Sequence, residues 1–162
     1  MFSSYRIGPR ARRYFIQGYR AQLMGRLEAA LYYYRKSLDI EDSAEGHTFL
    51  GCVLGQMGWY GEAIAECHTA IAIDPDFGNA YNDIGSYLLH LERPDDAITW
   101  LIRAKVAARY ETPEHAYCNM GKAYEMKRLW PLAMDEYEAA LRLNPAYTAA
   151  RVALTDLSAL RN

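Results

Sequence analysis

An all-α stack of repeated two-helix units is the fold class this sequence predicts, and three observations predict it. Gly18, Gly51, Gly85 and Gly121 recur at intervals of 33, 34 and 36 residues. Each is followed by an alanine (Ala30, Ala63, Ala97, Ala133) and then by Tyr34, Cys67, Leu101 or Tyr137 in a common phase. Periods of this size mark units that bury their apolar faces only against their neighbours. Apolar residues recur at three and four rather than at two, and β-branched residues are few, so no strand is expected. All six prolines fall where a helix begins or has just ended, as their missing N–H requires.

The elements follow in order. A helix over 11–23, preceded by Pro9, pairs with one over 27–39 across Gly25, which is placed as a left-handed cap. Helices over 44–57 and 60–73 pair across Gly58 in the same way, and Pro75 stops the second of them. The third pair spans 78–91 and 94–107, with Pro94 in a first turn. The fourth spans 113–127 and 130–143, with Pro113 and Pro131 in first turns and Pro145 at its close. A ninth helix over 146–160 turns Ala149, Val152, Ala153 and Leu157 to the core, and Arg151, Asp156 and Arg161 to water. Residues 1–10 read as a flexible basic extension and 11–162 as a single domain.

Composition excludes several classes. With 51% hydrophobic and 23% charged residues the chain is neither disordered nor membrane-like. No apolar run approaches the roughly 20 residues that span a bilayer, so no membrane insertion is expected. The arginine-rich N-terminus lacks the apolar core of a secretory signal. Three cysteines (Cys52, Cys67, Cys118) at unrelated spacings read as free thiols in a reducing, cytoplasmic setting.

The fourth unit, from Glu114, carries Tyr117, Met120, Gly121, Tyr124, Ala133, Tyr137, Ala140 and Pro145. In phase with it, the third has Tyr81, Ile84, Gly85, Leu88, Ala97, Leu101 and Ala104, with two extra residues before the next unit. The second has Leu50, Gly51, Leu54, Ala63, Ala70 and Pro75, with His47 at an aromatic position; the first keeps Tyr14, Gly18, Ala30 and Tyr34. This pattern resembles the tetratricopeptide repeat (TPR) over residues 11 to 160. The resemblance implies a right-handed α-solenoid of about four helix-turn-helix units (11–43, 44–77, 78–113, 114–147) with a C-terminal solvating helix. It also implies a non-catalytic interaction module, an adaptor that binds a peptide or protein segment in a concave groove lined by the first helices.

Reading the family's groove positions onto this chain gives Phe15, Ile16, Tyr19, Phe49 and Cys52 at the N-terminal end. Toward the C-terminus it gives Asn79, Asn82, Asp83, Ser86, Asn119 and Lys122. Asn82 and Asn119 suit backbone hydrogen bonds to an extended segment, and Phe15, Tyr19 and Phe49 an apolar anchor. The alternative is that the aromatics cover the groove floor or dock the N-terminal ten residues. Family members that hold the carboxylate end of chaperone tails use Lys, Arg and Asn at set places. Those places hold Phe15, Tyr19, Phe49, Asn79 and Asp83 in one frame, and Thr48, Cys52, Asp83, His115 and Asn119 in the next. Neither frame supplies the cations, so no carboxylate clamp is expected.

Charge is segregated. Residues 1–36 carry a net +7, residues 37–92 a net −10 with no Lys or Arg, and the remainder +1. A partner with a cationic segment facing the second repeat is one reading, and a self-assembling homo-oligomeric scaffold is another; solvated faces that neutralise each other are the bland one. The acidic middle disfavours nucleic acid. No phosphate-binding loop occurs, and His115 with Cys118 lacks the further ligands a metal needs, so neither catalysis nor a cofactor is expected.

Overall fold

The computed structural model describes residues 5–159. Among them are nine α-helices: α1 Pro9–Leu23, α2 Leu27–Ile40, α3 Ala44–Gln56, α4 Tyr60–Ile73, α5 Gly78–His90, α6 Pro94–Val106, α7 Glu114–Met126, α8 Trp130–Leu143 and α9 Thr148–Ala159. Helices α1, α3, α5 and α7 each form a hairpin with the helix that follows, α2, α4 and α6 each pack on the next hairpin, and α8 packs on α9. The odd helices also touch one another in succession, α1 on α3, α3 on α5 and α5 on α7. That asymmetry curves the stack and puts the odd helices on its inner face. The fold is the expected all-α solenoid.

The four hairpin turns share one backbone solution. Residues 25, 58, 92 and 128 all take positive φ, at 69°, 81°, 57° and 58°. The next residue in each donates its N–H five positions back: Arg26 to Ala21, Trp59 to Leu54, Arg93 to Leu88 and Leu129 to Tyr124. This double-bonded C-cap needs a left-handed residue. Gly25 and Gly58 supply it without strain, whereas Glu92 and Arg128 hold it despite their Cβ atoms.

The repeated glycines explain the phase of the large side chains. A Cβ on Gly18 would lie 2.8 Å from the Tyr34 ring, on Gly85 2.6 Å from Leu101, and on Gly121 2.5 Å from Tyr137. The close approach is therefore to the large residue of the second helix, not to the alanine one turn before it. Only at Gly51, opposite the smaller Cys67, does backbone approach instead, with the Ala63 carbonyl 3.0 Å from such a Cβ. Tyr34 and Tyr137 lie wholly buried across their glycines. Their hydroxyls donate to Gln22 (2.9 Å) and Glu125 (2.6 Å) one turn further along the first helix.

Two expectations change. Residues 5–8 do not behave as a loose extension: Ile7 is buried, and the backbone N–H groups of Arg6 and Gly8 each bond a carboxylate, Glu45 and Glu41, at 2.8 Å. Residues 1–4 lie outside the described residues. In α9 the core is met by Ala150 and Leu157, with Ala153 and Leu154 beside them, while Val152 stays exposed and Ala149 does too. Arg161 lies outside the described residues.

Candidate functional site

The inner face divides into a covered end and an open one. At the covered end Phe15 and Phe49 meet edge to face with centroids 4.9 Å apart, and Tyr19 reaches Phe49 at 6.0 Å. Tyr5, ahead of α1, lies against both Phe15 and Phe49 at 5.9 Å, and Arg12 holds its carbonyl at 3.1 Å. Phe15 is fully buried and so belongs to the core rather than to a peptide-facing anchor. It sits beneath Tyr5, Phe49 and Tyr34. Phe49 and Tyr19 remain half-buried. The chain's own N-terminal segment thus occupies the place an apolar anchor would take.

That segment is locked by a side-chain cluster the sequence did not reveal. Arg109, in the loop between α6 and α7, pairs with Glu45 and with Asp74, both at 2.8 Å. Its guanidinium stands 4.3 Å over the Phe77 ring. Arg6 joins from the other side, pairing with Asp74 at 3.2 Å. The loop is pinned by backbone bonds from Gly78 N–H to the Arg109 carbonyl and from Arg109 N–H to the Asp76 carbonyl, both 3.0 Å. Glu45 is only 1% exposed, so these partners replace the water it is shut off from. The two extra residues before the fourth unit were the available signal.

The open end carries a polar row. Lys122 donates to Asn119 Oδ1 at 3.5 Å, Asn119 Nδ2 to Asn82 Oδ1 at 3.0 Å, and Asn82 Nδ2 to Asp83 Oδ1 at 3.2 Å. Asn82 is buried, Asn79, Asp83 and Asn119 are half-buried, and Lys122 is exposed. Asn82, expected to face a ligand, is spent on both neighbours and forms the floor. Asn119, Asn79 and Lys122 remain at the surface with unused hydrogen-bonding capacity. Burial pushes the Asp83 carboxyl up to about 7, against a smaller opposing effect of the Asn82 hydrogen bond.

Toward α3 the row opens into a cleft of about 400 Å³ lined by Cys52, Gln56, Tyr60, Asp83, Tyr87 and His90, among others. Cys52 accepts from Gln22 at 3.2 Å, and burial raises its thiol to about 11, which favours the protonated thiol. His47 lies elsewhere, gripped by Glu66 at 2.5 Å and Asp42 at 2.7 Å through its two ring nitrogens. Burial alone would lower its pKa, but these two carboxylates raise it. His115 stacks on Tyr147 at 5.0 Å, a packing role. No group of three potential metal ligands occurs among the described residues. No helix there is long and apolar enough to cross a membrane.

The family model described as tetratricopeptide repeat matches residues 44–77. The chain superposes on the structure of Pseudomonas aeruginosa pilF with a TM-score of 0.83 and 25% identity, covering 91% of this chain and 67% of that one. For PilW, a type IV pilus biogenesis factor, the TM-score is 0.86 at 17% identity, over 94% of this chain and 70% of that one. The first TPR of Spaghetti (RPAP3), bound to the HSP90 peptide SRMEEVD, gives 0.66 at 23% identity, over 74% and 94%. No curated protein matches.

Proposed function

Since the chain is a tetratricopeptide-repeat protein, we propose that it is a non-catalytic adaptor that holds an extended protein segment along the open end of its inner face. The observation that carries this reading is the bonded row Lys122–Asn119–Asn82–Asp83 across α5 and α7. A buried amide fixes the rotamers of its surface neighbours, so that the groups presented to a partner backbone are already ordered before binding. Asn119 and Asn79 give and accept backbone hydrogen bonds there, Lys122 meets an acidic or carbonyl group, and Cys52 forms the apolar margin. Phe49 and Tyr19 take part only where Tyr5 is displaced. The free thiols, two of them buried, suit a cytoplasmic setting.

Selection of displayed random peptides on the purified protein tests this. Enriched peptides are expected to lose binding to Asn119→Ala/Lys122→Ala while far-ultraviolet circular dichroism is unchanged. Equal binding by that variant rejects the groove assignment.

One observation favours self-assembly as a second reading. The second helix of every unit ends in an exposed aliphatic residue, Ile40, Ile73, Val106 and Leu143, forming a row in phase with the repeat. Light scattering across concentration, with Val106→Glu as the control, separates the readings: a monomer throughout removes this one.

A further inference from the structure

The acidic middle of the chain is largely accounted for internally. Asp39 pairs with Lys36, Asp42 and Glu66 with His47, Glu45 and Asp74 with Arg109, and Glu41 accepts from Gly8. Glu62, Asp76 and Glu92 are exposed. Asp83 differs from all of these, being half-buried on the inner face with no cation beside it among the described residues. Its Oδ1 accepts from Asn82, and the residue lines the cleft.

We propose that this cleft between α3 and α5 receives one arginine side chain of the bound segment, its guanidinium pairing with Asp83 between the aromatic wall and the polar rim. The inference rests on the groove reading and names the side chain it selects. The wall is the Tyr60 ring, stacked on His90 at 5.0 Å and 3°, with Tyr87 behind it at 6.2 Å. The rim adds Ser86 and Gln56, a hydroxyl and an amide carbonyl that can accept. A planar group with five donors fits rings on one side and spread acceptors on the other, whereas an ammonium reaches them only as a point charge. The protein uses this pairing itself: Arg103 lies 4.5 Å over Tyr81 and 4.9 Å over Trp100. The titratable groups sharing the cleft with Asp83 are Cys52 from α3, Tyr60 from α4, and Tyr87 and His90 from α5, and its charge is also felt by Cys67 from α4 and Tyr110 before α7. Lys122 on α7 is directed to Asn119 instead.

The test is a titration of the isotope-labelled protein, followed by amide chemical shifts, with N-acetyl-arginine-N-methylamide and its neutral citrulline counterpart. The arginine probe is expected to shift Gln56, Ser86 and His90 in a saturable way, more strongly at pH 8 than at pH 6, and the citrulline probe to leave them unmoved. Asp83→Asn should weaken the response roughly tenfold or more, and Gln56→Glu, an exposed change that leaves the core alone, should strengthen it. Equal shifts from both probes, or indifference to either substitution, overturns the proposal. Should the arginine probe fail while Asn119→Ala/Lys122→Ala still abolishes peptide binding, the groove reading stands and only this inference falls.

Discussion

Asn119 on α7 donates to Asn82 on α5 across 3.0 Å, a side-chain hydrogen bond that joins the inner helices of two successive repeats. It makes the two amides one unit, with the buried member orienting the exposed one. Asn82→Ala leaves Asn119 and Asp83 without their shared partner and is expected to cost about 1–2 kcal/mol of stability. Asn119→Ala, at the wetter end, should cost less than half of that. Urea unfolding of both variants measures the difference, and equal losses would show the bond is not what holds the floor.

The carboxyl of Asp83 gives the protein an unusual pH dependence. Its folded pKa, about 7, lies above the roughly 3.9 of an unfolded aspartate. Below pH ~4 both states hold the proton and the group is neutral in effect. Between there and pH ~7 the unfolded chain releases it first, so stability falls as pH rises, and it levels off above. Asp83→Asn should therefore change little at pH 4 and stabilise at pH 8, by about 2 kcal/mol after solvent screening. The same gain at both pH values would remove ionisation as the cause.

The turns and the glycines offer opposite substitutions. Gly121→Ala drives a Cβ into the Tyr137 ring and should cost about 1–3 kcal/mol. Arg128→Gly relieves a side chain held at φ 58° and should gain up to about 1 kcal/mol, the greater freedom of glycine in the unfolded chain limiting the benefit. Thermal unfolding distinguishes them by sign.

Arg109→Ala should be the most damaging single truncation outside the apolar core. It strips Glu45 and Asp74 of their main cation and releases the loop from Phe77, at a cost of about 3 kcal/mol. Hydrogen exchange should speed up for Arg6 and Gly78, and for Gly8 through its neighbour, because Arg6 leans on the same carboxylates, Glu45 and Asp74, while Gly8 bonds the adjacent Glu41. Unchanged exchange at residues 6 and 8 would show that segment to be held independently.

Much of the architecture was legible because it is written in short-range terms. Hairpin boundaries agree with the observed helices to within two residues at most ends, since proline, glycine and the three-four spacing act within one or two turns. The glycine phase pointed to tight hairpins, although Tyr34, Leu101 and Tyr137, not the alanines, fill the space. The groove was harder to read. Asn119 is half-buried and Lys122 exposed, whereas Phe15 went to the core and Asn82 is buried beneath its neighbours. A helix position gives the direction of a side chain, not what already lies above it.

By itself, the sequence determined the repeat count and the pairing of helices, because both follow from a short-range pattern that recurs in phase along the chain. The inward face of the first helices was implied by the resemblance to the tetratricopeptide repeat. Which part of the inner face stays open was decided only by the tertiary structure. Tyr5, Arg6 and Arg109 come from segments distant in sequence and meet Phe49, Glu45 and Asp74 through contacts that no local pattern encodes. Only folding brings these residues together, and their meeting closes one end of the inner face while leaving Asp83 uncompensated at the other.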